Sequence, residues 1–232
     1  WEKLEDGRVR VFAEPRGGGD EIALDADVVL LTVGRFPNSA GIGLEALGLE
    51  TDERGFIPVD GAQRTGVPHI YAIGDVAGEP MLAHKGSKEG EVAAEVIAGK
   101  ASAFDVRGIP AVVFTDPEIA TVGVTEAEAK AQGLKVRVGK FGFAGNGRAL
   151  SMNEGEGFAR LVVDEATEVV IGAEVVGPEA SNLIAEIGLA LEMGALASDV
   201  ALTIHAHPTL SEAWLEAAAG SLGHGVHSIN RG

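Results

Sequence analysis

Cysteine is absent from the 232 residues of the sequence. These residues therefore carry no disulfide framework, no thiolate metal site and no cysteine nucleophile. No apolar run approaches the length that spans a bilayer, and the start, Trp1 to Asp6, lacks the chemistry of a secretory signal. Since the lack of cysteine also fits a reducing compartment, we expect a cytoplasmic protein that does not enter a membrane.

Basic residues are also scarce. Lysine and arginine number 18 against 35 acidic residues, which gives a formal net charge of −17. A field of this sign argues against nucleic acid and anionic membrane surfaces as partners. Two interpretations stay open: the charge attracts a basic protein partner, or it only keeps the protein soluble.

The six histidines offer little to a metal ion. Only His205 and His207 have the spacing of metal ligands, and no set of carboxylates surrounds them, so no metal site is expected. His205 is better explained as a buried, hydrogen-bonded residue. Lys85 is expected to be solvated, with contact to a bound ligand as the alternative. Trp214 is expected to serve packing, and solvation and packing are the ordinary roles of these two residue types.

A segment near the C-terminus contains the strongest chemical signal. Pro208 fixes the backbone and prevents a continuing helix, so His207 can project from a rigid turn. Glu212 follows closely and can reach back to the other ring nitrogen, which is the arrangement of an oriented general acid/base. The alternative is structural, because Thr209 and Glu212 also have the spacing of a capping box ahead of a helix over 213–219. Under that alternative Glu212 is only a cap.

The first part of the chain has the pattern of strands and loops with one helix. Ala26 to Val33 is a continuous apolar run and predicts a buried strand. A second short strand is expected over His69 to Ile73, and a helix from about Leu82 to Ile97. Glycines 86 and 90 cost that helix roughly 1 kcal/mol each relative to alanine, which indicates that a ligand or another backbone comes close.

Beyond a boundary near residues 105–110 the pattern changes. Short apolar segments there predict an antiparallel sheet with helices segregated to one side, which is an α+β domain. Thr125 and Glu128 form a second capping-box pattern. Strands are expected at 112–114, 119–124, 136–143, 157–164 and 169–176, and helices at 125–132, 181–193 and 213–219.

Gly74 and Asp75 follow the second predicted strand, shortly before the predicted helix. This order can hold a nucleotide-like ligand. The carboxylate accepts hydrogen bonds from sugar or ribitol hydroxyls, and the helix start offers N–H groups and partial positive charge to an anion or a ring edge. A Gly-Asp pair alone is more often a plain turn, but its place ahead of Pro80 to Lys85 favours the ligand site.

Taken in order, the motifs resemble the C-terminal half of the dihydrolipoamide dehydrogenase family, within the FAD-containing pyridine nucleotide–disulfide oxidoreductases. The similarity runs over essentially the whole chain, and the last motif is specific within the superfamily. The matching segments are Thr32-Val33-Gly34-Arg35 with Pro37-Asn38, Ala72-Ile73-Gly74-Asp75, Met81-Leu82-Ala83-His84-Lys85, Phe143-Ala144-x-Asn146-Gly147-Arg148-Ala149 and His205-Ala206-His207-Pro208-Thr209-Leu210-Ser211-Glu212.

The resemblance implies an arrangement of domains. Residues 1–35 would be the tail of an α/β NAD-binding domain, and 36–107 the C-terminal part of an α/β FAD-binding domain. Residues 108–232 would be the α+β interface domain of a two-fold homodimer. The implied cofactor-binding residues are Asp75 at the flavin ribityl chain, Met81, Leu82, Ala83 and His84 along the flavin, Gly34 by the nicotinamide nucleotide and Asn38 near the adenosine of FAD.

The resemblance also implies a catalytic pair and a partner. His207 would be the acid/base toward a dihydrolipoyl dithiol, oriented by Glu212, and would serve the flavin and disulfide of the other subunit. Members of this family dock onto a small basic binding domain of the acyltransferase subunit in 2-oxo acid dehydrogenase complexes. That docking implies one such domain per dimer, near the two-fold axis.

The sequence departs from the family in what it lacks. The family needs a Gly-x-Gly-x-x-Gly segment for FAD, a second one for NAD and a Cys-x4-Cys redox pair, and none of these occurs here. The chain alone is therefore expected to be inactive, whereas the full-length protein is expected to oxidise dihydrolipoamide and reduce NAD+. The alternatives are a catalytically silent dimerisation or docking module with the same fold, and another disulfide reductase of the superfamily.

Overall fold

A computed structural model describes residues 1–225 of the chain. The chain begins with a small antiparallel sheet in which three strands lie in sequence order. These strands are β1 (Glu2–Lys3), β2 (Val9–Ala13) and β3 (Ile22–Ala26).

The buried strand predicted over Ala26–Val33 is not present. Beyond Ala26 the backbone forms no strand through residue 33, and Val28, Leu30, Leu31 and Val33 are 77–88% exposed. The prediction was wrong because a continuous apolar strand needs neighbouring strands and a layer on each face. Residues 1–225 supply no strand beside this segment.

The strand predicted over His69–Ile73 is wrong as well. It is reduced to a single bridge between Tyr71 and Arg64. The reason is a tight turn that overlaps its first residues, in which the N–H of Ile70 donates to the carbonyl of Val67 at 2.9 Å. The turn uses backbone groups that a longer ladder would need.

The helix predicted ahead of the boundary is confirmed as α1 (Ala83–Ile97). Its glycines allow a close approach to the turn that carries Gly74. A Cβ atom on Gly86 would stand 3.0 Å from the Cα of Gly74, and one on Gly90 would stand 3.2 Å from the Ile73 side chain. The prediction that another backbone comes close to this helix is confirmed at Gly86.

Beyond residue 110 the described chain forms the predicted α+β domain. Its strands are β4 (Ala111–Val113), β5 (Glu118–Gly123), β6 (Val136–Gly142), β7 (Phe158–Asp164) and β8 (Val170–Gly177). Its helices are α2 (Glu126–Ala131), α3 (Gly147–Ser151), α4 (Ala180–Met193), α5 (Ala197–Leu202) and α6 (Glu212–Ser221). Thr125 and Glu128 form the capping box that the sequence predicts at the start of α2.

The sheet has the order β4-β5-β8-β7-β6, and all its neighbouring strands are antiparallel. Helix α4 packs on β5 and β8, and α6 packs on β6 and β7. Side chains from the sheet and from both helices share one buried apolar cluster. The fold class that the sequence predicts for this region is confirmed.

Trp214 lies at the centre of this packing. Its side chain is fully buried, and its indole Nε1–H donates to the carbonyl of Leu183 at 3.0 Å. The residue therefore ties α6 to α4 while satisfying its own polar atom. The packing role predicted for Trp214 is confirmed. Within residues 1–225, no helix is long and apolar enough to cross a bilayer.

Gly139 marks the closest contact between the sheet and α6. A Cβ atom there would lie 1.8 Å from the carbonyl oxygen of Ala217 and 2.7 Å from the amide nitrogen of Ser221. We expect Gly139→Ala to force α6 away from β6 and to lower the free energy of unfolding by about 3 kcal/mol or more. Denaturant unfolding of the chain measures the loss.

Gly142→Ala is the matched control, because it makes the same substitution on the same strand. Its added Cβ would have no neighbour nearer than the Gly157 carbonyl oxygen at 3.8 Å, an ordinary contact. We expect a change below about 1 kcal/mol for this variant. Equal unfolding midpoints for the two variants would contradict the helix-to-sheet packing described above.

Candidate functional site

His207 and Glu212 lie side by side at the start of α6. The Nδ1 atom of His207 is 2.9 Å from Oε1 of Glu212. The His207 side chain is 76% exposed, whereas that of Glu212 is 25% exposed. One edge of the imidazole is thus held by a carboxylate while most of the ring stays open to an incoming group, which is the geometry a general acid/base needs.

The second oxygen of Glu212 serves the backbone. Oε2 accepts the N–H of Thr209 at 2.8 Å. The Thr209 hydroxyl does not complete the capping box; it donates to the carbonyl of Ala206 at 2.7 Å. The N-cap residue of α6 is Ser211. Of the predicted capping box, only the contact from Glu212 to the Thr209 N–H is present. This contact is compatible with the acid/base interpretation, because Glu212 uses its other oxygen for His207.

The electrostatics of Glu212 favour its charged form. Burial acts to raise the pKa of Glu212, but the hydrogen bonds from the Thr209 N–H and from His207 outweigh it, so the pKa lies below its ordinary value of 4.5. The carboxylate is thus ionised at neutral pH, where it stabilises a protonated imidazole. Its contribution to stability is present above pH 4.5 and is lost as pH falls through the lowered folded pKa.

The turn that carries His207 rests on Asn146, a residue for which the sequence predicted no role. Asn146 is 3% exposed. Its Nδ2 donates to the carbonyl of Thr209 at 3.0 Å, and its Oδ1 accepts the N–H of Ala149 at 2.9 Å. An asparagine before a glycine and a short helical run is the signal of such a cap. Beside it lies a cavity of about 140 Å³, lined by Phe141, Gly145, Asn146, Gly147, His207, Glu212 and Glu216.

His205 supports the same turn from the other side. Its side chain is 5% exposed, and its Nε2 is 2.8 Å from Oε1 of Glu186 on α4. Nδ1 is 2.9 Å from the carbonyl of Thr203. The buried, hydrogen-bonded histidine that the sequence predicts is confirmed. Within residues 1–225, no group of three or more histidine and carboxylate side chains is arranged to hold a metal ion.

The residues predicted to bind the cofactors are only partly brought together. Gly34, Met81 and Leu82 line one open cavity of about 570 Å³. Asn38 is exposed and does not line that cavity. Ala83 and His84 form the first turn of α1, where His84 Nε2 is 2.7 Å from the carbonyl oxygen of Pro110.

Asp75 differs from its expected setting. It lies in the 3-10 turn Gly74–Val76 rather than at a strand end. Its side chain is 49% exposed, with Oδ2 at 3.9 Å from Nη1 of Arg35. The same Arg35 nitrogen donates to the carbonyl of Met81 at 2.9 Å. Arg35, for which the sequence predicted no role, thus connects the Gly-Asp turn with the segment ahead of α1.

The prediction of a solvated Lys85 is wrong. The residue is 4% exposed, and its Nζ is 3.0 Å from Oε1 of Glu89 one helical turn later. The composition favoured a solvated residue, because lysine is rarely buried unless it is paired. The available signal was the four-residue spacing between Lys85 and Glu89 in α1.

The two parts of the candidate site remain apart within one chain. The cavity at Gly34 and Met81 has no lining residue in common with the cavity at His207 and Glu212. Among residues 1–225, no side chain caps the N-terminus of α1 with a hydrogen bond. The helix start therefore keeps backbone N–H groups for a ligand.

In comparisons with known proteins, the two cavities fall in segments that match two different family domains. Residues 109–218 match the dimerisation domain of the pyridine nucleotide-disulphide oxidoreductases, and residues 4–90 match a pyridine nucleotide-disulphide oxidoreductase domain. Dihydrolipoyl dehydrogenase of Halobacterium salinarum is 53% identical over 231 residues, which are 100% of this chain and 48% of that protein. The chain spans about half the length of the curated relatives it matches.

Two solved structures are also similar. The crystal structure of LpdA from Mycobacterium tuberculosis has 33% sequence identity and a TM-score of 0.79, over 89% of this chain and 45% of that one. The Cu(II) complex of the HOCl-induced flavoprotein disulfide reductase RclA from Escherichia coli has 27% identity and a TM-score of 0.82. That match covers 94% of this chain and 48% of RclA.

The α+β domain with its exposed histidine–carboxylate pair lies in the segment that matches the dimerisation domain, and the Gly-Asp turn lies in the segment that matches the oxidoreductase domain. The family follows from the matches over residues 4–90 and 109–218. The chain belongs to the pyridine nucleotide-disulphide oxidoreductases.

Proposed function

We propose that this chain is the C-terminal half of a dihydrolipoyl dehydrogenase that uses FAD and NAD and works as a homodimer. In this proposal residues 1–35 end the NAD-binding domain, 36–107 end the FAD-binding domain and 108–232 form the interface domain. Residues 226–232 lie outside the described part of the chain. The observation that carries the proposal is the pair His207–Glu212, joined at 2.9 Å on an exposed turn.

His207 is proposed to be the base that accepts a proton from the dihydrolipoyl thiol. A dihydrolipoyl group loses two protons and two electrons when it becomes a disulfide, so a base must accept a proton as the thiol becomes a nucleophile. His207 accepts that proton, and the ionised Glu212 stabilises the imidazolium that forms. The redox cysteines must come from outside these residues, because the chain has none.

The flavin site is proposed at the open cavity beside α1. The uncapped start of α1 offers N–H groups at Ala83 and His84, and Asp75 offers a half-exposed carboxylate to ribityl hydroxyls. Met81 and Leu82 supply the apolar and backbone wall, and Gly34, which lines the same cavity, is proposed to lie by the nicotinamide nucleotide. Asn38 is proposed to lie near the adenosine. When bound, FAD takes electrons from the reduced disulfide and passes them to NAD+.

Two alternatives stay distinguishable. The likeness to RclA supports another disulfide reductase of the superfamily, and the absence of cysteine supports a silent dimerisation module for these residues alone. Reading the gene upstream of Trp1 separates the silent module from the enzymes: a Cys-x4-Cys pair favours an enzyme, and its absence favours the silent module. The activity toward dihydrolipoamide separates the two enzymes. The expected cytoplasmic location stays a prediction.

His207→Gln in the full-length protein is expected to lower kcat for dihydrolipoamide by about 10²–10⁴-fold, because a general base contributes an amount of that order. Glu212→Gln is expected to cost less, since it keeps an acceptor for the Thr209 N–H and only weakens the hold on the ring. Steady-state assays with dihydrolipoamide and NAD+ measure both changes.

The control is NADH-dependent reduction of an artificial electron acceptor, which bypasses the dithiol. Flavin content and this second activity are expected to stay within about twofold of the parent protein in both variants. Near-full dihydrolipoamide activity in His207→Gln would leave the histidine as a turn residue and Glu212 as a cap.

We also propose a basic partner, the small binding domain of an acyltransferase subunit. The net charge of −17 supports it, because a large single-sign field draws partners of opposite charge. A site on the dimer two-fold axis can be occupied once only, because a second copy would clash with the first. The proposal is therefore one basic domain per homodimer.

Calorimetric titration of the full-length dimer with the isolated binding domain tests this proposal. We expect one domain per dimer and an affinity that falls as added salt shortens the Debye length below roughly 10 Å. Two domains per dimer would rule out the position on the axis. An affinity that does not change with salt concentration would show that the net charge serves solubility alone.

A further inference from the structure

A buried ion pair lies behind the Gly-Asp turn. Lys85 and Glu89, one turn apart on α1, have side chains only 4% and 5% exposed, and their charged atoms are 3.0 Å apart. Neither residue has a part in the chemistry proposed above. A charged pair so well removed from water costs desolvation energy, and an apolar pair of similar volume is often as stable. Simple stabilisation therefore explains the pair poorly.

The hydrogen bonds of the pair all lead to one short segment. The Lys85 ammonium donates to the carbonyl of Gly74 at 3.1 Å and to that of Gly78 at 2.8 Å. The second carboxylate oxygen of Glu89 accepts the N–H of Gly74 at 2.6 Å. With the bond between the two side chains, these contacts account for the three donors of the ammonium and for both carboxylate oxygens.

The segment held in this way is the one that carries Asp75. Gly74 is bound at both its N–H and its carbonyl, and its Cα lies against Gly86 so closely that a Cβ there would stand 3.0 Å away. Gly74 itself has a φ of +72°, a left-handed conformation that few other residues adopt at low cost. Asp75 lies between the two anchored residues Gly74 and Gly78, and its carboxylate Oδ2 is 3.9 Å from Nη1 of Arg35.

We propose that Lys85 and Glu89 are positioning residues of the flavin site, which hold the turn 74–78 so that Asp75 meets a ribityl hydroxyl. This inference rests on the proposed function, because it needs Asp75 to contact the flavin. Lys85 and Glu89 act through the backbone of Gly74 and Gly78 and touch no reacting atom. Their effect is on the affinity for flavin and not on the proton transfer at His207.

The same helix carries a matched control pair. Lys88 and Glu91 are also 3.0 Å apart, but their side chains are 55% and 66% exposed. An exposed pair of this kind contributes little, because water and salt screen it. Identical substitutions at the two pairs therefore separate positioning of the turn from general effects of removing a lysine and a glutamate from α1.

The experiment measures the dissociation constant of FAD for the full-length protein, stripped of flavin and titrated at a temperature well below unfolding. Lys85→Met with Glu89→Gln is expected to weaken FAD binding at least about tenfold, the effect of losing a hydrogen bond to a charged group. Lys88→Met with Glu91→Gln is expected to change it less than about twofold.

Asp75→Ala distinguishes positioning through Asp75 from a general structural effect, because a structural effect on FAD binding would not depend on Asp75. If the pair acts through Asp75, adding Lys85→Met and Glu89→Gln to Asp75→Ala should weaken FAD binding by less than about twofold more. Losses that add in full would refute positioning through Asp75, as would unchanged FAD affinity in Asp75→Ala. Should the double substitution fail to fold, Glu89→Gln alone, which keeps an acceptor for Gly74, is expected to give a smaller loss with the same dependence on Asp75.

Failure of this inference differs from failure of the proposed function. A full-length parent protein that binds no FAD would overturn the proposed function and this inference with it. A parent that binds FAD normally, together with equal losses at the buried and exposed pairs, would overturn the positioning role alone.

Discussion

The two oxygens of Glu212 hold the turn on which the proposed chemistry depends. One accepts the backbone N–H of Thr209 at 2.8 Å, and the other faces the ring of His207 at 2.9 Å. The same carboxylate thus holds the backbone of the turn and orients the imidazole ring. Because the pKa of Glu212 lies below its ordinary value despite burial, the carboxylate keeps both contacts throughout the neutral pH range.

The rest of the interface domain holds this turn in place. Trp214, two residues after Glu212, is fully buried and bonded to α4. His205 bonds to Glu186 on the same helix at 2.8 Å, and Asn146 bonds to Thr209 at 3.0 Å. The exposed His207 therefore projects from a support that is rigid on each of these sides, while its own ring stays open.

The sequence predicted what local periodicity and capping decide. The five strands of the interface sheet, the capping box at Thr125 and the helix α1 are local in origin, and the structure has them.

The predictions that were wrong depend on contacts between distant parts of the chain. Whether Ala26–Val33 is a buried strand depends on neighbours that no local pattern reveals, and the burial of Lys85 depends on the backbone of Gly74 coming up against α1. The His207–Glu212 contact could be predicted from spacing, but the support from Asn146 and Arg35 could not.

In the proposed homodimer, His207 serves the disulfide of the other subunit, and within one chain the cavity at Met81 and the cavity at His207 share no lining residue. The most direct test of this division between subunits uses hybrid dimers of the full-length protein, purified through two different tags. One subunit carries His207→Gln, and the other keeps His207 but has serine in place of its redox cysteines. If His207 serves the disulfide of the other subunit, one of the two sites is intact, and the hybrid recovers about half the parent activity toward dihydrolipoamide. Activity no higher than that of the two inactive parent variants would contradict the account.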